Sequence, residues 1–104
     1  MNQYNPDLEE ETVIKTEDDV SEPPMYKVWL LNDDYTTMEF VVEILEHVFN
    51  KTIEEAALIM LKVHREGTGL CGVYTFEVAE TKVDTVHNLA REEGFPLKCT
   101  MEKD

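Results

Sequence analysis

The sequence predicts an α+β fold. Three helices cover one face of a three-stranded antiparallel sheet in the order β-α-α-β-α-β, behind an acidic N-terminal arm. Three observations carry this reading. Two apolar stripes with helical spacing are separated by only Asn50-Lys51, which makes a helical hairpin. Three short segments, beginning near Met25, Leu70 and Leu97, are rich in strand formers or alternate in polarity. Pro23-Pro24, Gly67 and Gly94 punctuate the chain where elements should start or stop.

Residues 1–24 hold eight acids and one base, Lys15, a net charge of −7. Apolar residues there are few and aperiodic, so the segment is expected to be a flexible extension. It either solubilises the chain or engages a partner. The core domain is expected over 25–104. Tyr26-Lys27-Val28-Trp29-Leu30-Leu31 reads as the first strand. Thr36 stands three residues before Glu39, the capping-box spacing, so the first helix is expected to begin there. Val41, Ile44, Leu45, Val48 and Phe49 form its apolar face. Thr52 and Glu55 give a second capping box before a stripe of Ala56, Ile59, Met60 and Val63, with Gly67 as the stop. Leu70, Tyr74, Phe76 and Val78 alternate as a strand, in which Gly72 marks a bulge or a close approach. Ala79, Val83, Val86 and Ala90 form a third helical stripe ending at Gly94. Leu97, Cys99 and Met101 alternate in the last strand.

A length of 104 residues suits one small domain, and 42% hydrophobic residues suffice for a core. The 23 acids and 9 bases give a net charge of −14. That field repels phosphate backbones and anionic lipid, so nucleic acid and membrane are not expected partners, whereas basic protein surfaces are. No apolar run approaches a membrane span and no secretory signal is visible, so a cytoplasmic location is expected. Cys71 and Cys99 match no zinc or redox spacing and read as reduced core thiols. Ser21 is the only serine and lies in the arm, and His47, His64 and His87 show no metal-ligand spacing. There is no glycine-rich phosphate loop. No enzymatic activity, cofactor or metal is expected.

The binding chemistry concentrates in the turn after the first strand. Asn32-Asp33-Asp34 clusters amide and carboxylate acceptors, whose best ligand is a cation with several N–H donors. Taken singly, each residue also has an ordinary reading. Asn and Asp form turns and caps in many proteins. His64 at a helix end suits the dipole. Met38, Val41, Met60 and Val63 would serve in any core.

Together these residues form a pattern. The run Tyr26-Lys27-Val28-x-Leu30-Leu31-Asn32-Asp33-Asp34-Tyr35-Thr36-x-Met38-Glu39-Phe40-Val41 resembles the signature of the ClpS family, adaptors of the bacterial N-degron pathway. The resemblance continues through Met60-Leu61-x-Val63-His64, Gly67, Cys71-Gly72-Val73-Tyr74, Glu77-x-Ala79-Glu80-Thr81-Lys82 and Pro96-Leu97, nearly end to end over 25–104. It implies the same β-α-α-β-α-β fold. It also implies an adaptor that binds substrates beginning with Leu, Phe, Tyr or Trp and delivers them to a ClpA-type AAA+ unfoldase, which feeds the ClpP protease. By position, Asn32, Asp33 and His64 would bind the substrate α-amino group. Asp34 and Thr36 would hold the peptide backbone or shape the loop. Met38, Val41, Met60, Val63 and Leu97 would line the side-chain pocket, with Met38 as the gatekeeper against β-branched residues. Glu77, Glu80 and Lys82 would contact the unfoldase N-terminal domain. A monomer is expected.

Two positions depart from the family pattern. Thr37 replaces a proline, which is expected to loosen the first helical turn, and Gly69 replaces an alanine. Neither is expected to touch a ligand group. Two other readings remain: an interaction domain like that of a ribosomal stalk protein, which shares the fold, or an unfoldase regulator without degron binding.

Overall fold

The segment MYKVWLL becomes the central strand because its β-branched, aromatic and aliphatic residues suit a pleated surface packed on one side. In the computed structural model, which describes residues 22–104, this strand is β1 (Met25–Leu31). It pairs antiparallel with β2 (Thr68–Thr75) on one side and β3 (Lys98–Lys103) on the other, in the sheet order β2-β1-β3. The acidic segment 1–24 lies outside the described residues, apart from Glu22-Pro23-Pro24, which are exposed. The helices are α1 (Met38–His47), α2 (Ile53–Glu66) and α3 (Phe76–Glu93).

Alternation on β1 separates two faces. Val28 and Leu30 are fully buried, and the core closes over them with Cys71, Cys99, Ile44, Leu45, Ala56, Ala79, Val86 and Ala90. Trp29 lies on the open side of the sheet, where its indole N–H donates to Glu102 Oε2 at 3.1 Å. All the expected apolar stripes face the core, although Val48 and Phe49 follow the last residue of α1. Gly67 and Gly94 end α2 and α3 in the left-handed region, at φ of 93° and 77°. The second capping box is complete: Thr52 Oγ1 accepts from Glu55 N at 3.1 Å, and Glu55 Oε1 accepts from Thr52 N at 3.0 Å.

Two local expectations are corrected and a third is met. First, Thr37 and not Thr36 is the N-cap of α1; its hydroxyl accepts from Phe40 N at 3.1 Å. Thr36 is diverted because its amide and hydroxyl both bind Asp33. Thr37 therefore fastens the first helical turn where loosening was expected. Thr37→Ala should lower unfolding free energy by about 0.5–2 kcal/mol in urea denaturation; an unchanged midpoint would deny the cap its role.

Second, β2 ends at Thr75, so Phe76 and Val78 begin α3. Their alternation is also compatible with a helix, since Phe76, Ala79 and Val83 follow i, i+3, i+7. The Phe76 ring meets Tyr26 edge-on at 5.3 Å. Third, a bulge shifts the β1–β2 register between Val28 and Trp29, because Val28 pairs with Gly72 and Trp29 with Leu70. Cys71 is the extra residue and is fully buried, while Leu70 faces out at 37% exposure. Gly72 answers both halves of its expectation. It flanks the bulge, and a Cβ there would stand 2.7 Å from Tyr74 Cζ.

Candidate functional site

The turn between β1 and α1 is wired from within. Asp33 Oδ1 accepts from Tyr35 N at 2.8 Å and Thr36 N at 2.7 Å, and Oδ2 accepts from Thr36 Oγ1 at 2.7 Å. This is the local hydrogen bonding that short acidic side chains offer a turn. Partial burial raises the Asp33 pKa, but the bonds from Thr36 and Tyr35 outweigh it and hold the carboxyl below its ordinary 3.8. A lowered folded-state pKa contributes stability above the unfolded value, which is lost as pH falls through the folded one. The amide shifts of Tyr35 and Thr36 should therefore titrate with a midpoint below 3.8. Thr36→Val should raise that midpoint; a midpoint already at or above the ordinary value would contradict the wiring.

The turn is also tied to α2. Leu31 pairs with Thr68 in the sheet, and Asn32 N donates to Gly67 O at 2.9 Å. That bond holds the Asn-Asp-Asp run against the C-terminal end of α2, where His64 sits in the last turn. Thr37 meanwhile fixes where α1 starts, and so places Met38 and Val41.

These constraints enclose a recess of about 220 Å³. Its polar rim is Asn32, Asp33, Asp34, Thr36 and His64. Met38 and Val41 from α1 and Met60 and Val63 from α2 supply apolar walls. Nine of the ten positions expected around the bound residue thus share one recess. Leu97 is the exception. It stands just before β3, is 3% exposed within the core, and is not among the lining residues.

The chemistry of the rim suits a cation. Asp33 has used three of roughly four acceptor sites on its own turn, so it leaves about one. Asp34 is exposed and makes no side-chain hydrogen bond or ion pair among the described residues. Asn32 and a neutral His64 can each offer an acceptor. The C-terminal dipole end of α2 adds partial negative charge at the same place. The walls suit an apolar side chain, and two methionines let them adapt to its shape.

Gly69 bears on this wall. It is buried, and a Cβ there would stand 2.6 Å from Val63 Cγ2 and 3.2 Å from Ile59 O. The departure at Gly69 thus bears on the pocket wall, because the missing methyl lets β2 approach the back of Val63.

The residues expected on the second surface divide. Glu77 and Glu80 are exposed on α3. Lys82 is half-buried and turned onto the body. Its ammonium donates to Val48 O at 2.7 Å and lies 5.2 Å from the Tyr74 ring centroid and 5.8 Å from that of Phe49. It thus satisfies a carbonyl at the end of α1, a structural task the sequence did not indicate. The thiols of Cys71 and Cys99 are free and buried. Burial pushes the Cys99 pKa up to about 12 and raises that of Cys71 as well, the opposite of what a nucleophile needs. Among the described residues, no group of three or more His, Cys, Asp or Glu is arranged to hold a metal ion, and no helix is long and apolar enough to cross a membrane.

Comparison with known proteins converges on one family. The model of the family described as "ATP-dependent Clp protease adaptor protein ClpS" matches residues 21–100. The ATP-dependent Clp protease adapter protein ClpS of Desulforapulum autotrophicum is 60% identical over 104 residues, covering 100% of both chains. That of Nitratidesulfovibrio vulgaris is 66% identical over 90 residues, 86% of each chain. The structure of Agrobacterium tumefaciens ClpS2 bound to L-phenylalaninamide superposes with a TM-score of 0.77 at 41% identity, covering 80% of this chain and 100% of that one. With both the sequence matches and the fold in agreement, this chain belongs to the ClpS family of ATP-dependent Clp protease adaptor proteins.

Proposed function

We propose that the recess binds a free peptide N-terminus whose first residue is Leu, Phe, Tyr or Trp, and that the protein delivers such substrates to a ClpA-type AAA+ unfoldase. One observation carries this reading: the acceptor groups of Asn32–Asp34 and His64 open onto the same recess as four apolar side chains. An α-ammonium with an adjacent large side chain presents that same pairing of features. Asn32, the remaining acceptor site of Asp33 and His64 take its three N–H donors. Exposed Asp34 adds a further negative charge, and Met38, Val41, Met60 and Val63 surround the side chain. L-Phenylalaninamide, the ligand of the Agrobacterium relative, has a free α-amino group beside an aromatic side chain, which supports the reading.

Charge-assisted hydrogen bonds contribute roughly 1.5–3 kcal/mol each, and burial of one large side chain contributes about as much. After the entropic cost of association, an affinity around micromolar follows. Exposed Glu77 and Glu80, and the strongly acidic chain as a whole, suit a basic patch on the unfoldase N-terminal domain. Lys82 contributes there at least partly by holding the end of α1 in place.

Fluorescence titration with two peptides that differ only in their first residue tests the recognition step. The Leu-initiated peptide should bind at micromolar concentration, and the Ala-initiated one at least roughly tenfold more weakly, since it leaves the apolar walls unfilled. Equal affinities would mean that the recess does not read the first side chain, as expected of a regulator without degron binding.

A further inference from the structure

We propose that a second recess, across the Asn32–Asp34 ridge from the first, receives the second side chain of a bound peptide, and that Tyr35 makes it favour apolar side chains. This rests on the reading that the first residue occupies the recess beside His64. The second recess encloses about 470 Å³ and shares Asn32, Asp33 and Asp34 with the first. Its remaining lining is Leu31, Tyr35, Pro96 and Lys98.

Three arguments connect it to the substrate. The first is continuity, because the residues that anchor the α-ammonium form a wall common to both recesses. The second is backbone geometry. In an extended chain successive side chains point to opposite sides, and neighbouring Cα atoms lie about 3.8 Å apart. A first side chain directed into one recess therefore sends the second away from it, towards the other side of the ridge.

The third is Tyr35 itself. Its side chain is 77% exposed and takes no part in the core. Yet its backbone N–H is held by Asp33 at 2.8 Å, so the ring projects from a fixed turn. A tyrosine on a rigid turn offers a large contact area at low cost in side-chain entropy. With Leu31 and Pro96 it makes an apolar trough. Lys98 is exposed at the edge of this recess, where its ammonium stays in water, so apolar contact decides the preference.

The test compares phenylalaninamide with otherwise identical peptides beginning Phe-Ala, Phe-Leu and Phe-Tyr, titrated against the full chain and against Tyr35→Ala. With the unmodified protein, Leu or Tyr at the second position should tighten binding roughly three- to tenfold over Ala. In Tyr35→Ala the difference should shrink to within about twofold, while phenylalaninamide, which has no second residue, binds as before. Tyr35→Phe should keep the preference, since the ring and not the hydroxyl provides the contact. A second-position preference that is absent, or that survives Tyr35→Ala, overturns the proposal while leaving first-residue recognition intact. Failure of phenylalaninamide to bind the unmodified protein would instead refute first-residue recognition, and this inference with it.

Discussion

Acetylating the N-terminus of a Leu- or Phe-initiated peptide should weaken its binding by roughly a hundredfold or more. The acetyl group removes the positive charge and two of the three donors, and it adds bulk where the acceptors converge. The protein side suffers too. Asp34 would lose the positive charge beside it, and the remaining acceptor site of Asp33 would be covered without a donor. The charge-assisted bonds of the ammonium are worth roughly 1.5–3 kcal/mol each, so losing them is the largest effect expected of any single ligand change. The same logic makes Asp34→Asn deleterious while the turn stays intact, because the internal bonds belong to Asp33. Isothermal calorimetry with matched free and acetylated peptides decides the matter. Comparable affinities would show that the recess recognises something other than the ammonium.

Met38→Ala should convert a protein that rejects N-terminal Ile and Val into one that accepts them. Met38 is the first residue of α1, 43% exposed, and forms part of the recess wall. A β-branched residue carries a second γ substituent close to its backbone. A large side chain at the mouth of the recess meets that substituent, whereas Leu, Phe, Tyr and Trp branch farther out. Discrimination by fit in an apolar pocket is worth roughly 10- to 200-fold. The unmodified protein should therefore prefer Leu to Ile within that range, and Met38→Ala should bring the two within about threefold. The variant should stay folded, since Met38 is outside the core and Thr37 still caps the helix. Equal binding of Leu and Ile peptides by the unmodified protein would remove Met38 from the role of gatekeeper.

How far this molecule was legible in its sequence depends on the range of the interaction that decides each feature. Helix faces and stops were readable because they are set within a few residues: the Ile44–Leu45 face, the Thr52–Glu55 box, and the glycines at 67 and 94. The start of α1 was off by one because Thr36 and Thr37 are equally good caps by type. The choice falls to Asp33, which claims Thr36 first. Phe76 fitted a strand period as well as a helix period, and in the structure it starts α3 with its ring against Tyr26. The bulge at Cys71 inverts the alternation of β2 and has no local signal beyond Gly72.

In the site, the motif residues were legible through family resemblance, but the mechanism that brings them together was not. Asn32 and His64 meet because Asn32 N finds Gly67 O, a bond between segments far apart in the chain. Leu97 was expected on the wall from its alignment with the family pattern. Its burial follows from the Leu97-Cys99-Met101 alternation, but whether it reaches the recess depends on how the last strand enters the sheet. Lys82 was legible as a family position, but its contacts with Val48 O and the Phe49 and Tyr74 rings join segments distant in the chain.

Titrating phenylalaninamide into the isotopically labelled protein and following its backbone and methyl resonances most directly tests where recognition occurs. Saturable shifts should concentrate on Asn32–Thr36, on His64, and on the methyls of Met38, Val41, Met60 and Val63, while Glu43, His47 and Leu89, which line a separate groove between α1 and α3, stay unaffected. Shifts centred elsewhere, or none at saturating ligand, would contradict the assignment of this recess as the site that reads a peptide's first residue.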